Sequence, residues 1–225
     1  MTPRDDSTLR SRSATFTLVA KDAASGQLGI ATASRFLAVG AVVPFLRPGV
    51  GAVATQHHHE PRLAIEVLDE LEAGVEPRDA VQRALKFFGH AERRQVAVLM
   101  AAPQEGQQGA YAYTGDACQA YASQLVSDDL IVLGNTLAGE EVLAAAERGF
   151  RQSNSPHLAE RLLEGLLAAD RAGGDARGKQ AAAIKVAGSQ AFQPASVDLR
   201  VDDHPDAPSE LHRIFILHCQ LSRGG

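Results

Sequence analysis

Tryptophan is absent from this chain, and aromatic residues make up only 5% of it. Any core must therefore be built from Ala, Val, Leu and Ile, and a hydrophobic content of 45% is enough to do so. Cysteine is nearly missing too. Cys118 and Cys219 form neither a disulfide framework nor a metal-site spacing, and a reducing cytoplasm is the expected compartment. There is no excess of positive charge. The net charge is −5 and the charges are spread along the chain, so no basic patch marks a nucleic-acid partner. No apolar run approaches the roughly 20 residues needed to span a bilayer, so no membrane partner is expected. Residues 1–14 lack the apolar stretch of a secretory signal. Their Ser, Thr, Arg and Asp content predicts a flexible arm. Residues 15–225 then form one domain, without internal repeat or linker.

Three short segments open that domain: Thr15–Ala20, Leu28–Arg35 and Gly49–Gln56. All are rich in Ala, Gly and Val, and Lys21–Gly26 reads as a turn, which predicts a hairpin followed by a third strand. Helices are predicted over 61–74 and 77–88, each opened by a proline at a favoured first position. Strands follow over 95–101, 109–114 and 130–133. Two more helices are expected over 139–150 and 156–172, the second stopped by Gly173 and Gly174. Strands over 181–187 and 196–201 and a closing helix over 208–219 complete the pattern. Strands group at both ends, with helices grouped between them. That is not the strict alternation of a parallel sheet. It predicts an α+β fold of two antiparallel sheets with helices outside.

Seven motifs occur in order: Thr15–Asp22, Ala33–Pro44, Gly49–Gln56, Arg94–Val96, Gly134–Gly139, Gly173–Gln180 and Val197–Asp206. Together they resemble an Ntn-hydrolase-like family known as domain of unknown function 1028, and more distantly the proteasome β-type subunits. The resemblance runs from Thr15 to about Phe215. It implies a four-layer αββα sandwich and an amide-bond hydrolase acting on a small molecule or short peptide. It implies no cofactor. The alternative is a non-catalytic fold of the same type that binds a ligand or partner, because fold does not dictate function. A homodimer or higher homo-oligomer is expected, since Ala-rich helices such as the one containing residues 142–146 suit close packing and symmetric dimers are the commonest assembly.

In the mechanism the resemblance implies, Thr15 is the nucleophile and its own α-amine is the base. The amine's ordinary pKa of about 8 suits that task. Read from the residue alone, Thr15 is equally a first strand residue. Ala14 is amide-bonded to Thr15 here, and an amide nitrogen is not a base, so this chemistry needs a chain beginning at Thr15. Arg47 stands where proteasome-like subunits carry the lysine that lowers the nucleophile's pKa. It also reads as a solvated arginine before a turn. Asn135 is a candidate donor to an oxyanion, or a turn residue after Gly134. Arg35 is placed to bind a substrate carboxylate or to pair with Asp175. Asp175, a catalytic candidate, and Gln180, a substrate-binding one, lie in a glycine-rich loop whose backbone can approach a ligand but which lacks the spacing of a phosphate loop, and Thr15, Arg47, Asn135 and Asp175 are expected to converge on one cleft. Related sequences often carry serine after that glutamine; here it is Ala181. Gln56 and His57 are expected at the rim of the site, as substrate-binding residues. Three consecutive histidines, His57–His59, cannot all point at one ion from regular backbone, and no metal is expected. Asp198, Asp202, Asp203 and His204 form an acidic cluster, read either as a cation site or as partners for arginines.

Overall fold

A computed structural model describes residues 15–190 and 195–223. The arm expected over 1–14 lies outside the described residues. The chain runs β1 (Thr15–Asp22), β2 (Gln27–Ser34), β3 (Pro44–Arg47), β4 (Gly51–His57), α1 (Pro61–Glu72) and α2 (Pro77–Phe88). It continues with β5 (Arg94–Met100), β6 (Ala110–Thr114), β7 (Ser123–Val126), β8 (Leu130–Asn135), α3 (Glu141–Gln152) and α4 (Leu158–Arg171). It closes with β9 (Ala181–Ala187), β10 (Val197–Val201) and α5 (Ala207–Arg223). Two edge strands, β3 and β7, were not expected from the sequence. Each is four residues long and mostly half-buried, too short to show a period of two. The closing helix runs four residues beyond its expected end.

Two antiparallel sheets result. The larger has the order β10-β9-β2-β1-β8-β7, and the smaller β3-β4-β5-β6. The β1–β2 hairpin turns at Gly26, in the left-handed region at φ 68°, where glycine meets no Cβ penalty. The Asp22 carboxylate accepts hydrogen bonds from the Ser25 amide and hydroxyl to hold the turn. Prolines open α1 and α2, where no intrahelical N–H is lost.

Strand alternation sorts the apolar residues into three cores. Phe16, Leu18 and Ala20 of β1 pack with α3, α4 and α5 through Phe150, Leu162, Leu166 and Leu211. Val19, Leu28, Ile30 and Ile131 of the larger sheet pack with Ala52, Ala54, Ala97 and Leu99 of the smaller. Val53, Val96 and Val98 pack with α1 and α2 through Leu63, Val67, Val81 and Leu85. The small side chains of the second core let the two sheets approach closely. Among the described residues no helix is long and apolar enough to cross a membrane.

Candidate functional site

At one end of the space between the sheets, the apolar side chains give way to polar ones. Antiparallel register sets Thr15 between Ser34 of β2 and Asn135 of β8. On the facing sheet the same register sets Gln95 of β5 between Gln56 of β4 and Thr114 of β6. Alternation turns Thr15 and Thr17 to the side of Val19, away from Phe16 and Leu18. Thr15, Thr17, Thr32, Gln56, Gln95 and Asn135 are fully buried, and Ser34 is 2% exposed. Burying this many polar groups is tolerable only if they are bonded to one another.

They are. The Thr15 hydroxyl donates to Ser34 Oγ at 3.3 Å. The Gln56 amide nitrogen donates to the Thr15 carbonyl at 3.2 Å and to Gln95 Oε1 at 2.9 Å. Thr17 donates to Gln56 Oε1 at 2.7 Å and shares a 2.8 Å contact with the Thr32 hydroxyl. Gln95 also accepts from Asn135 Nδ2 at 2.9 Å. Its own nitrogen donates to the Gly134 carbonyl at 2.8 Å and to Thr114 Oγ1 at 2.9 Å. Thr114 passes a bond on to Gln124 Oε1 at 2.6 Å. None of these side chains titrates near neutral pH. Thr136, next to Asn135, sits at φ 51°. For a β-branched residue that is a strained conformation of the kind concentrated at functional sites. Backbone bonds to Gln119 and Ala176 hold it.

Four of the residues named from the sequence meet at this end. Thr15, Asn135 and Gln56 are members of the cluster itself. Gln180 joins through its backbone, donating to the Ser34 carbonyl at 3.1 Å, while its side chain bonds Asp203. Asp175 stands just behind, buried, and accepts from the Arg35 amide at 2.8 Å. The ion pair expected between Arg35 and Asp175 is not formed. Arg177, two residues along the same loop, takes the carboxylate with Nε at 3.2 Å and Nη2 at 3.0 Å. The Arg35 guanidinium instead donates to the Arg177 carbonyl. A neighbour already held in the loop loses less freedom in pairing than an arginine from another element.

Arg47 does not reach the cluster. It pairs with Gly51, at the other end of β4 from Gln56, and five strand residues span roughly 17 Å. Its guanidinium bonds Asp69 and Glu72 of α1, both at 2.7 Å. His57 ends β4 at φ 65° and turns its ring away from Gln56, with Nδ1 2.7 Å from the Arg93 carbonyl. His58 lies 5.2 Å from the His90 ring, and His59 lies 5.2 Å from Phe36. Among the described residues no three His, Cys, Asp or Glu side chains are grouped to hold a metal ion. In the acidic cluster, Asp198 pairs with Lys185 and Asp202 with Arg200.

Thr17, Thr32, Ser34 and Gln95 were missed in the sequence. The signal existed: polar residues recur at every second position at one end of otherwise apolar strands, in Thr15/Thr17 and Thr32/Ser34. A period of two within an apolar segment means that one end of one sheet face is polar.

Two antiparallel sheets with five helices among the described residues, and a buried polar seam between the sheets, make this an α+β protein with its candidate site at the start of a central strand. The chain belongs to the family of unknown function DUF1028, whose family model matches residues 15–211. It is similar to the crystal structure of protein SPO2555 from Silicibacter pomeroyi, described under the same family. Identity is 30%, the TM-score is 0.80, and the match covers 90% of this chain and 84% of that one. No curated protein matches it.

Proposed function

We propose that this protein is an N-terminal-nucleophile hydrolase of amide bonds in a small molecule or short peptide. The three cores fit a four-layer αββα sandwich, the arrangement in which that chemistry is housed. The observation that carries the reading is Thr15 itself. It begins the central strand β1, lies against Ser34 Oγ at 3.3 Å and sits in a buried, hydrogen-bonded seam. It is also the residue at which the family match begins.

In the form that begins at Thr15, the α-amine takes the hydroxyl proton as Oγ1 attacks the substrate carbonyl. The amide nitrogen leaves with that proton, and water then hydrolyses the ester on Thr15. Arg47, held by α1, does not reach the seam to lower the nucleophile's pKa. The free amine's ordinary pKa of about 8 lies close enough to neutral pH for it to act as the base. The hydroxyl sought at position 181 is supplied across the strand pair. Ala181 is the register partner of Ser34, whose side chain faces Thr15.

Complete burial of Thr15 in the chain as it stands favours one second reading, a fold that binds a ligand or partner without chemistry. The two separate on rates. A form beginning at Thr15 is expected to hydrolyse members of a panel of small amides and dipeptides. The form beginning at Met1 is expected to be about 10²–10⁴ slower for want of a base, and Thr15→Ala inactive. Equal rates for all three leave the binding reading. A homodimer or higher homo-oligomer belongs to the same proposal, and sedimentation at micromolar concentration checks it.

A further inference from the structure

The hydrogen bonds of the seam have a direction that backbone groups impose. A carbonyl can only accept. The Thr15 carbonyl therefore requires the nitrogen of the Gln56 amide, and the Gly134 carbonyl requires the nitrogen of Gln95. With both amides oriented, the rest follows. Gln56 Oε1 must accept, so Thr17 spends its one proton there, and the 2.8 Å contact with Thr32 is donated by Thr32, whose proton is shared with the Phe16 carbonyl at 3.3 Å. Gln95 Oε1 accepts from both Gln56 and Asn135, filling its two lone pairs. Gln95 Nε2 donates to Thr114, which must then donate to Gln124. The chain runs one way, from Thr32 through Thr17, Gln56, Gln95 and Thr114 to Gln124. It starts in the larger sheet, crosses the smaller one and returns. No member can be reversed without leaving a carbonyl facing an oxygen.

From this geometry we infer that Gln56 is a positioning residue for Thr15, oriented by Thr17 and anchored by Gln95, and that its place requires a neutral amide. The inference rests on the proposed role of Thr15. Gln56 does not touch the hydroxyl. It holds the carbonyl of the same residue from the facing sheet and so fixes where β1 presents Oγ1. Glutamate is nearly isosteric but reverses the chemistry. A carboxylate offers no donor to the Thr15 carbonyl or to Gln95 Oε1, and it brings a charge into a buried cluster whose described side chains are all neutral. Its protonated form keeps one donor and no charge. Its pKa in the folded protein is therefore raised above the usual value of about 4.3.

The test uses the full chain as the expressing cell delivers it, with its N-terminus read by intact mass. Gln56→Glu is expected to lower kcat about 100-fold, the cost of a misplaced reacting group, with KM within threefold. Its melting temperature is expected to fall progressively below that of the wild type as pH rises from about 4 to 7. A raised carboxyl pKa leaves no penalty below the unfolded-state value and an increasing one above it. Thr17→Val, a milder change of the same shape, is expected to lower kcat about tenfold. With Thr15→Ala inactive, a Gln56→Glu enzyme within threefold of wild-type kcat overturns the inference alone. A melting deficit independent of pH also overturns it. A Thr15→Ala protein as active as wild type, or a wild type that the intact mass shows to begin at Thr15 and that turns over no amide in the panel, overturns the reading of Thr15 instead. The melts then decide by themselves whether position 56 requires a neutral amide.

Discussion

Replacing Gln95 by leucine tests whether the seam holds the two sheets together. The substitution keeps the volume roughly constant and deletes four bonds of 2.8–2.9 Å, besides a longer one of 3.4 Å to the Ser123 carbonyl. Gln56 Nε2 and Asn135 Nδ2 lose their acceptor, and the Gly134 carbonyl and Thr114 hydroxyl lose their donor. A buried group left without a partner costs about 1–3 kcal/mol. Gln56 Nε2 keeps the Thr15 carbonyl and Thr114 keeps Gln124, so each of the four losses is taken at the lower figure, about 4 kcal/mol together, of which the apolar side chain returns about 1 kcal/mol. The expected loss is about 3 kcal/mol or more. For a chain of this size that is a fall of about 6–12 °C in melting temperature. Thr55→Val is the matched control. Thr55 is fully buried on the next strand, but its hydroxyl has no partner among the described residues. Removing it deletes no bond, so stability is expected to hold or to rise by about 1 kcal/mol. Urea unfolding at pH 7 measures both. A Gln95→Leu loss under about 1 kcal/mol, or an equal loss for both variants, refutes the argument that bonding rather than burial makes the seam stable.

Gly165→Ala is expected to cost about 1–3 kcal/mol by urea unfolding, because the added carbon would lie 2.5 Å from Leu18 Cδ2 and 2.9 Å from the Ala146 carbonyl. Arg47→Met is expected to leave turnover within threefold and to cost under about 1 kcal/mol, since it removes only half-exposed ion pairs at the far end of β4. A large loss of kcat would restore Arg47 to the site. Burial pushes the Cys118 thiol up to about 11. At pH 8 that leaves about 100-fold less thiolate than a thiol at pKa 9 would hold, and alkylation followed by mass spectrometry should show a rate at Cys118 that climbs until pH approaches 11.

The local sequence determined most of the elements, because their causes are local. Pro61 and Pro77 start α1 and α2 whatever surrounds them, and Gly26 allows the turn between β1 and β2. Leu63, Val67 and Leu71 mark one helix face by spacing alone. The motifs also gave away the family, and they drew attention to Thr15, Asn135 and Gln56. Other features were decided between elements. β3 and β7 exist because each pairs with a longer neighbour; neither four-residue segment carries a pattern of its own. Arg47 and Gln56 share a hairpin, yet antiparallel pairing places them at opposite ends of it, so that one meets α1 and the other meets Thr15. Asp175 had two arginines to choose from, and the nearer one in its own loop took it. Gln95 looks like any polar residue at the start of a strand. It becomes the centre of the seam only when two sheets stack and their registers set Gln56–Gln95–Thr114 against Ser34–Thr15–Asn135. Alternation along a strand is written in the sequence; which row of another sheet will face it is settled by packing.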